Sequence, residues 1–281
     1  MMTVTFLGTG TSDGVPLIAC SCTTCQSQSS KNRRLRASVL VQDGQSCVLI
    51  DASSDFREQA LKYNIQKLDA ILFTHADADH ISGIPELRAL NWSMKQTIDI
   101  YAQKHRHVPT QPGTLWGIDM IYHQYYYAFN NEAGKKGRPS LLYHPIILNQ
   151  DIMVNSLIIE PLEIFHGSMP IVGFRIEDFA YITDASTIPE ETIYRLANRN
   201  LDILVLNAVR LTPHPRHFHL DQAMEIAKMI GAKTTYFTHI SHDIEHEKIS
   251  AILPENMFLA YDGLIVQTRE NTVISSSSKR K

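Results

Sequence analysis

Strong positive charge is absent from this sequence, and so is any long apolar run. Lysine and arginine total 26 against 29 aspartate and glutamate, which gives a formal net charge of −3. A general nucleic-acid binder usually carries a clear basic excess, and a membrane span needs ~20 consecutive apolar residues. The opening residues have neither the charged segment nor the apolar segment of a signal peptide. We therefore expect a cytoplasmic protein with no membrane contact and no general affinity for nucleic acid.

Cysteine is also scarce. Four cysteines are present, and three of them are crowded together at Cys20, Cys22 and Cys25. In a cytoplasmic protein such an array favours metal binding over a disulfide framework. Three thiols so close together can bind one zinc ion, but a closed structural site needs a fourth ligand. The alternative is that the three thiols are unrelated and bind no common metal ion. Cys47 lies in an apolar stretch and is expected to be simply buried.

Apolar and β-branched runs separated by turn residues predict one strand-rich domain over residues 1–270, with a polar, disordered tail at 271–281. Helices are predicted from Ser53 or Ser54 through Leu61, and at residues 81–91, 189–198 and 220–230. Strands are predicted at residues 3–7, 38–42, 46–50, 68–73, 157–162, 171–176, 180–182, 201–206, 234–237 and 258–261. Two packed sheets with helices outside would bury both sets of elements, which makes the fold class α/β.

Two stretches fit this scheme less well. Residues 92–145 are rich in Tyr, His, Gly and Pro, and we interpret them as a partly helical insertion that caps a pocket. A plain surface excursion is the alternative, because only some long loops are functional. The basic run Lys31, Arg33, Arg34 and Arg36 either meets an anionic substrate or forms a solvated loop.

The strongest chemical signal is the sequence His75-Ala76-Asp77-Ala78-Asp79-His80, which directly follows an apolar run. In extended backbone, residues two apart point the same way, so His75 and Asp77 can face one metal ion. A turn at Ala78 would present Asp79 and His80 to a second ion. Imidazole and carboxylate are ligands that suit zinc, manganese and iron.

Three more metal-competent residues each follow a predicted buried strand, namely His166, Asp184 and His239. Any one of them alone is best explained as a structural polar residue with its hydrogen bonds made. Functional groups gather, however, at loops held by a rigid scaffold. Three such positions together with the His/Asp cluster therefore predict an active site at the strand ends.

In order along the chain, Asp51, the His/Asp cluster, His166, Asp184 and His239 resemble the five signature motifs of the metallo-β-lactamase superfamily. The resemblance implies a four-layer αββα sandwich and a hydrolase with two divalent metal ions, manganese or zinc, with iron also compatible. It implies that Asp51 orders the ligand loop without binding metal itself. The implied ligands of one ion are His75, Asp77 and His166, those of the other are Asp79, His80 and His239, and Asp184 bridges the two.

Asp77 departs from the family pattern, in which this position is usually histidine. A carboxylate is harder than imidazole and adds negative charge, so it should favour manganese or iron over zinc. A weakened first metal site is the alternative.

The N-terminal segment from Gly8 to Pro16, the cysteine array and the late Thr238-His239-Ile240-Ser241-His242 motif resemble one branch of the superfamily. That branch contains the phosphoribosyl 1,2-cyclic phosphate phosphodiesterase of the carbon–phosphorus lyase pathway. The resemblance implies that His242 completes a structural zinc site with Cys20, Cys22 and Cys25, and it also implies a homodimer.

In the same branch, a metal-bound hydroxide would attack the phosphorus of a small cyclic phosphate or phosphodiester. Asp79 would help to orient this nucleophile. His217 would protonate the leaving group, with His219 as the second candidate.

Three other functions remain open at this stage. A tRNA 3′-end nuclease shares the metal motifs, and the basic stretch at residues 134–139 is a faint sign of its dedicated arm. A lactonase or thioesterase would use the same metals on neutral esters. A non-catalytic metal-binding protein would follow if Asp77 weakened the centre.

Overall fold

Two seven-stranded sheets face each other in the computed structural model, which describes residues 1–104, 117–129 and 137–268. The first sheet contains β1 (Thr3–Gly8), β2 (Ser38–Gln42), β3 (Cys47–Ile50), β4 (Ala70–Leu72), β5 (Ile98–Gln103), β6 (Leu141–Ile146) and β14 (Ile265–Gln267). The second contains β7 (Ile152–Val154), β8 (Leu157–His166), β9 (Met169–Ile176), β10 (Phe179–Ile182), β11 (Ile203–Asn207), β12 (Thr234–Thr238) and β13 (Met257–Leu259). Their spatial orders are β14-β1-β2-β3-β4-β5-β6 and β13-β12-β11-β10-β9-β8-β7.

The helices are α1 (Phe56–Lys62), α2 (Ala78–Ile81), α3 (Leu87–Met94), α4 (Gly117–Tyr125), α5 (Glu190–Ala197), α6 (Leu220–Ile230) and α7 (His246–Ser250). Short 3₁₀ turns occupy Ser30–Asn32, Ile84–Glu86 and Tyr126–Ala128. No helix in the described ranges is long and apolar enough to cross a membrane.

Side-chain alternation along the strands creates three apolar layers. On β2, Val39 and Val41 point into the core between the sheets, while Leu40 points outward to the helices. The outer face of the first sheet packs on α1, α3 and α4, and that of the second sheet packs on α5 and α6. The expected four-layer αββα sandwich is therefore confirmed.

Parallel strand pairing brings distant parts of the chain to one edge of the sandwich. Strands β3 to β6 run parallel in the first sheet, and β10 to β13 run parallel in the second. In sheets of this kind the carboxyl ends of the strands form the crevice in which ligands bind. The residues just after β3, β4, β10 and β12 consequently meet at that edge.

The helix predicted at residues 81–91 is wrong as a single element. The chain forms α2, a 3₁₀ turn and α3 instead. A Cβ at Gly83 would lie 2.3 Å from the carbonyl oxygen of Ser53, so the chain is pressed against its neighbour there. Pro85 follows two residues later and cannot donate a backbone hydrogen bond to a continuous helix.

The predicted N-cap of the first helix is also corrected. Helix α1 begins at Phe56 with Asp55 as its N-cap. Ser53 uses its hydroxyl to accept from the Asp55 backbone N–H and to donate to Gln59. Ser53 therefore orders the turn before the helix.

Fewer residues than expected lie outside the sheet in the predicted insertion at residues 92–145. Its two ends are the core strands β5 and β6, which pair in parallel over six residues. Helix α4 lies between them in sequence and packs Ile118 and Ile121 on the outer face of the first sheet. The described part of the excursion therefore extends the fold, and its capping of a pocket stays a prediction. Residues 105–116 and 130–136, and the tail at 271–281, lie outside the described residues.

Candidate metal centre

Four strand ends supply the candidate centre. Asp51 follows β3, His75 follows β4, Asp184 follows β10 and His239 follows β12. Three of these residues adopt the left-handed conformation, with φ of 63° at Asp51, 56° at Asp184 and 54° at His239. Such backbone costs about 1–3 kcal/mol at a non-glycine residue and is found mostly at functional sites. Each strand therefore ends in a sharp turn that directs a polar side chain inward.

Asp51 holds the loop of residues 75–80 in place through buried hydrogen bonds. It is wholly buried, and it accepts the backbone N–H of Thr74 at 2.9 Å and the Thr74 hydroxyl at 2.8 Å. Its second oxygen lies 2.7 Å from His80 Nδ1. Because an ionised carboxylate only accepts hydrogen bonds, His80 Nδ1 carries the proton. The Nε2 lone pair of His80 is then left facing the centre.

Two other histidines have their Nε2 lone pairs freed in the same way. His166 Nδ1 lies 2.8 Å from two carbonyl oxygens, those of Asp184 and Arg216, so this nitrogen must donate. His75 Nδ1 lies 2.9 Å from Thr74 Oγ1, whose single proton already goes to Asp51. His75 Nδ1 is therefore also a donor. This tautomer is the one that metal-binding histidines commonly adopt.

Asp79, His80 and His239 form one compact group. His80 Nε2 is 3.3 Å and His239 Nε2 is 3.7 Å from Asp79 Oδ2. The three ligand atoms all lie within 4.8 Å of one another. These are the residues that the family resemblance implied as ligands of the second metal ion.

His75, Asp77 and His166 form a looser group. Asp77 Oδ2 is 3.6 Å from His75 Nε2 and 4.0 Å from His166 Nε2. The Asp77 side chain is 45% exposed, whereas the two histidines are almost fully buried. Asp77 thus forms the solvent-facing wall of the group.

Asp184 lies between the two groups, because its carboxylate is within 4.8 Å of ligand atoms of His75 and His166 as well as of His80. One of its oxygens is 3.3 Å from His80 Nε2, and the other is 3.1 Å from His239 Nε2. Burial would raise the pKa of Asp184, but His239 and His80 lower it well below the ordinary value. Burial would likewise lower the pKa of His80, yet the charges of Asp79, Asp184 and Asp51 raise it well above the ordinary value, so without a cation His80 also holds a proton on Nε2, which a metal ion would displace on binding the lone pair. The centre is a buried patch of negative charge that attracts cations.

The donor set fits divalent metal ions. Among the described residues, the Nε2 atoms of His75, His80 and His239 are buried without a hydrogen-bond partner. Unpaired buried polar atoms are rare in native proteins and call for an explanation. Imidazole nitrogens that converge with three carboxylates are typical ligands of zinc, manganese and iron.

The two candidate proton donors occupy different places. His217 Nε2 lies 3.0 Å from Asp184 Oδ1, and burial lowers its pKa. His219 is the N-cap residue of α6, and no contact within the described ranges joins its ring to the centre. His214 was not singled out from the sequence, yet its Nδ1 lies 3.0 Å from His217 Nδ1. The signal that could have found it is its spacing of three residues from His217.

The cysteine array converges on His242, the residue that the family resemblance implied as its fourth ligand. Cys20 Sγ is 3.2 Å and Cys22 Sγ is 3.4 Å from His242 Nδ1, and all four ligand atoms lie within 4.8 Å of one another. The backbone N–H of Cys25, followed by His242, lowers the pKa of Cys22 to about 6. Burial raises the pKa of Cys25 to about 11.

Two arginines of the basic run, Arg34 and Arg36, stabilise the fold. This role differs from both interpretations made from the sequence, an anionic substrate site and a solvated loop. Arg34 is only 2% exposed, and its guanidinium donates to the carbonyls of Ser241 and Ile244, both at 2.9 Å. Arg36 pairs with Asp55 at 3.1 Å. Arg34 thus fixes the loop that carries both His239 and His242.

A groove of about 270 Å³ lies between the metal centre and the cysteine cluster. It is lined on one side by the N-terminal turn, including Ser12 and Gly14, and on the other by Arg210, His214, His217 and His239. It is large enough for a small molecule and opens directly onto the centre.

The fold and the centre together define a class of metal-dependent hydrolase. A family model described as "Beta-lactamase superfamily domain" matches residues 47–240, which is most of the chain. The chain therefore belongs to the β-lactamase superfamily, in its metal-dependent branch of αββα proteins.

Similar proteins narrow the comparison. A crystal structure described as a new diphosphatase from the PhnP family is 39% identical, with a TM-score of 0.85 over 96% of this chain and 98% of that one. A protein of Porphyromonas gingivalis (strain ATCC BAA-308 / W83) named octanoyltransferase is 34% identical over 92% of this chain. This chain spans only 50% of that relative's length. Zinc-bound PqqB from Methylobacterium extorquens has a TM-score of 0.72 at 21% identity, over 95% of this chain and 100% of that one, and shows the shared fold alone.

Proposed function

We propose that this protein is a phosphodiesterase that hydrolyses a small cyclic phosphate or phosphodiester with the help of divalent metal ions. The observation that carries the proposal is the convergence of four histidines and two further aspartates around Asp184, with His217 Nε2 3.0 Å away on the groove side. The similar diphosphatase supports phosphorus chemistry, since it aligns with nearly the whole chain. The relative named octanoyltransferase is about twice as long as this chain, so its name describes a larger protein than the one proposed here.

We assign two metal positions within the centre. His75, Asp77 and His166 would hold one ion, Asp79, His80 and His239 would hold the other, and Asp184 would contact both. Bound divalent cations would supply Lewis acidity toward phosphoryl oxygens and make coordinated water more acidic. We also propose that Cys20, Cys22, Cys25 and His242 hold a structural zinc ion, because a closed set of thiolates and imidazole is typical of such sites.

The chain's own residues complete the reaction. Asp79 is mostly buried beside His80 and His239, and these neighbours keep it ionised, so it can accept a hydrogen bond from the attacking water. His217 lies at the mouth of the groove and can give its Nε2 proton to the departing oxygen. Such general-acid assistance contributes about 10²–10⁴-fold to the rate. The groove walls exclude solvent and hold the rest of the substrate.

The test is a substrate panel. Enzyme supplied with manganese or with zinc is assayed on bis-p-nitrophenyl phosphate, ribosyl and nucleoside cyclic phosphates, a tRNA precursor, a lactone and a thioester. Turnover of the phosphodiesters alone supports the proposal. Cleavage of the tRNA precursor with no small-ester turnover would favour a nuclease, and turnover of neutral esters alone would favour a lactonase or thioesterase. No turnover with any metal would identify a non-catalytic metal-binding protein.

A further inference from the structure

The hydrogen bonds of His214 determine which nitrogen carries the proton between His214 and His217. Its Nδ1 lies 3.2 Å from the backbone nitrogen of Arg216 and 3.0 Å from His217 Nδ1. A backbone N–H can only donate, so His214 Nδ1 must offer its lone pair there. The proton on the line between the two rings therefore belongs to His217. His214 Nδ1 accepts both donors in a three-centre arrangement.

The loop that carries His214 is itself held in place. Arg210 donates through Nε to the carbonyl of Thr212 at 3.1 Å, and through Nη2 to the carbonyl of Pro213. Pro213 and Pro215 flank His214 and restrict its backbone. His214 is half-buried and forms part of the groove wall.

The bond to His214 sets the direction of the His217 ring. With Nδ1 donating to His214, the opposite nitrogen, Nε2, faces the Asp184 carboxylate at 3.0 Å and must donate to it, so both ring nitrogens carry a proton in this arrangement. The ring also stacks on His239 at 5.1 Å between centroids and meets the edge of His166 at 4.6 Å. These contacts limit where the ring lies, and the hydrogen bond from Nδ1 decides which edge of it faces the centre.

The geometry points to His214 as a positioning residue that accepts the Nδ1–H of a doubly protonated His217. The Nε2–H of that ring is thereby directed at the leaving group, and after it has been given up the ring is neutral and still carries the Nδ1 proton. This inference rests on the proposed function, because it assigns the step that His217 serves. An alkoxide leaving group needs a proton in the transition state, whereas p-nitrophenolate departs without one. Loss of the His214 bond should therefore slow only substrates whose leaving group needs protonation.

The experiment compares His214→Ala with His214→Asn on two substrates, an alkyl phosphodiester and bis-p-nitrophenyl phosphate. The Oδ1 of asparagine can accept both donors in place of the imidazole Nδ1. His214→Ala should lower kcat on the alkyl diester by at least about tenfold and change kcat on the p-nitrophenyl diester by less than about twofold. KM should change by a smaller factor than kcat, and His214→Asn should recover most of the lost kcat.

His217→Ala and the double variant complete the design. His217→Ala should show the same dependence on the leaving group, and adding His214→Ala to it should cost no further rate. Equal losses on both substrates would overturn the inference, because they indicate a general structural defect. Full alkyl-diester activity in His214→Ala, or an asparagine variant as slow as the alanine variant, would also overturn it.

A readout independent of turnover separates this inference from the proposed function. Long-range ¹H–¹⁵N spectra of zinc-loaded protein should show a proton on His217 Nδ1 in the wild type and in His214→Asn. That proton should exchange faster with solvent in His214→Ala. A bare Nδ1 on His217 in the wild type would refute the role of His214. Absence of turnover by the wild type with every phosphodiester would instead refute the proposed function.

Discussion

Replacing Asp51 with asparagine should separate the stability of the fold from its capacity to bind metal. The Asp51 carboxylate is buried and accepts three hydrogen bonds, two from Thr74 and one from His80 Nδ1 at 2.7 Å. An asparagine can keep its oxygen on the Thr74 N–H and place its NH₂ group toward His80. His80 Nδ1 must then accept, so the proton moves to Nε2 and the lone pair that faces the metal centre is lost.

The expected loss of stability depends on which buried groups keep a hydrogen-bond partner. In Asp51→Asn the Thr74 N–H and His80 keep partners and only the Thr74 hydroxyl loses its acceptor, so we expect a loss of about 1–3 kcal/mol in unfolding free energy. In Asp51→Ala three buried donors lose their acceptor, and we expect a loss of roughly 3–6 kcal/mol. Metal affinity should fall by about 10–100-fold or more in both variants, since residues that orient a ligand typically contribute that much.

Two measurements check this prediction. Denaturant unfolding of metal-free protein gives the stability of each variant, and calorimetric titration with manganese or zinc gives its affinity. Asp55→Asn is the matched control, because Asp55 is a partly buried carboxylate that pairs with Arg36 away from the centre. It should lose some stability and retain metal affinity. An Asp51→Asn protein that binds both ions as tightly as the wild type would refute the tautomer argument.

Three other outcomes are expected. Asp77→His should shift the metal preference from manganese toward zinc by about tenfold or more, because imidazole is the softer ligand; competition between the two ions measures the shift, and an unchanged preference would show that Asp77 does not bind the ion. Cys20→Ser should lose one zinc equivalent and lower the midpoint temperature of unfolding by roughly 5 °C or more, whereas Cys47→Ala, which alters a buried cysteine outside the cluster, should keep all its metal; equal metal content would contradict the structural zinc. Burial raises the pKa of Asp262 to about 6, so between about pH 4 and pH 6 the folded chain holds a proton that the unfolded chain has released. Stability should therefore fall as pH rises through that window, by roughly 3 kcal/mol in total; Asp262→Asn should abolish this component of the pH dependence, and identical profiles for the two proteins would contradict it.

Much of the fold was predictable because buried strands have a simple sequence signature. Short apolar runs such as the ones in β4 and β11 are bounded by polar residues, and the structure places strands there. Strand β5 was missed although Ile98, Ile100 and Ala102 alternate with more exposed residues, because the surrounding Tyr, His and Pro content obscured the pattern. Helix α6 was predicted to the residue, since Gly231 adopts the left-handed conformation that ends a helix.

The site was predictable as a set of residue types and much less so as an arrangement. The His/Asp cluster is local in sequence, so its metal-binding chemistry can be predicted from the sequence alone. The tie between Arg34 and the loop at Ser241 spans more than 200 residues, and only the strand order of the two sheets brings them together. His214 was missed although it lies three residues from His217, because the sequence does not show that the two imidazole rings are hydrogen-bonded.

Counting the metal ions in protein purified without chelator tests the central claim most directly. Elemental analysis should find close to three equivalents per chain, two in the centre around Asp184 and one zinc with the cysteines. Removing the two ions at Asp184 should abolish phosphodiester hydrolysis, and manganese should restore it. Less than one equivalent beyond the cysteine-bound zinc, with no hydrolysis after manganese is added, would contradict a two-metal hydrolase.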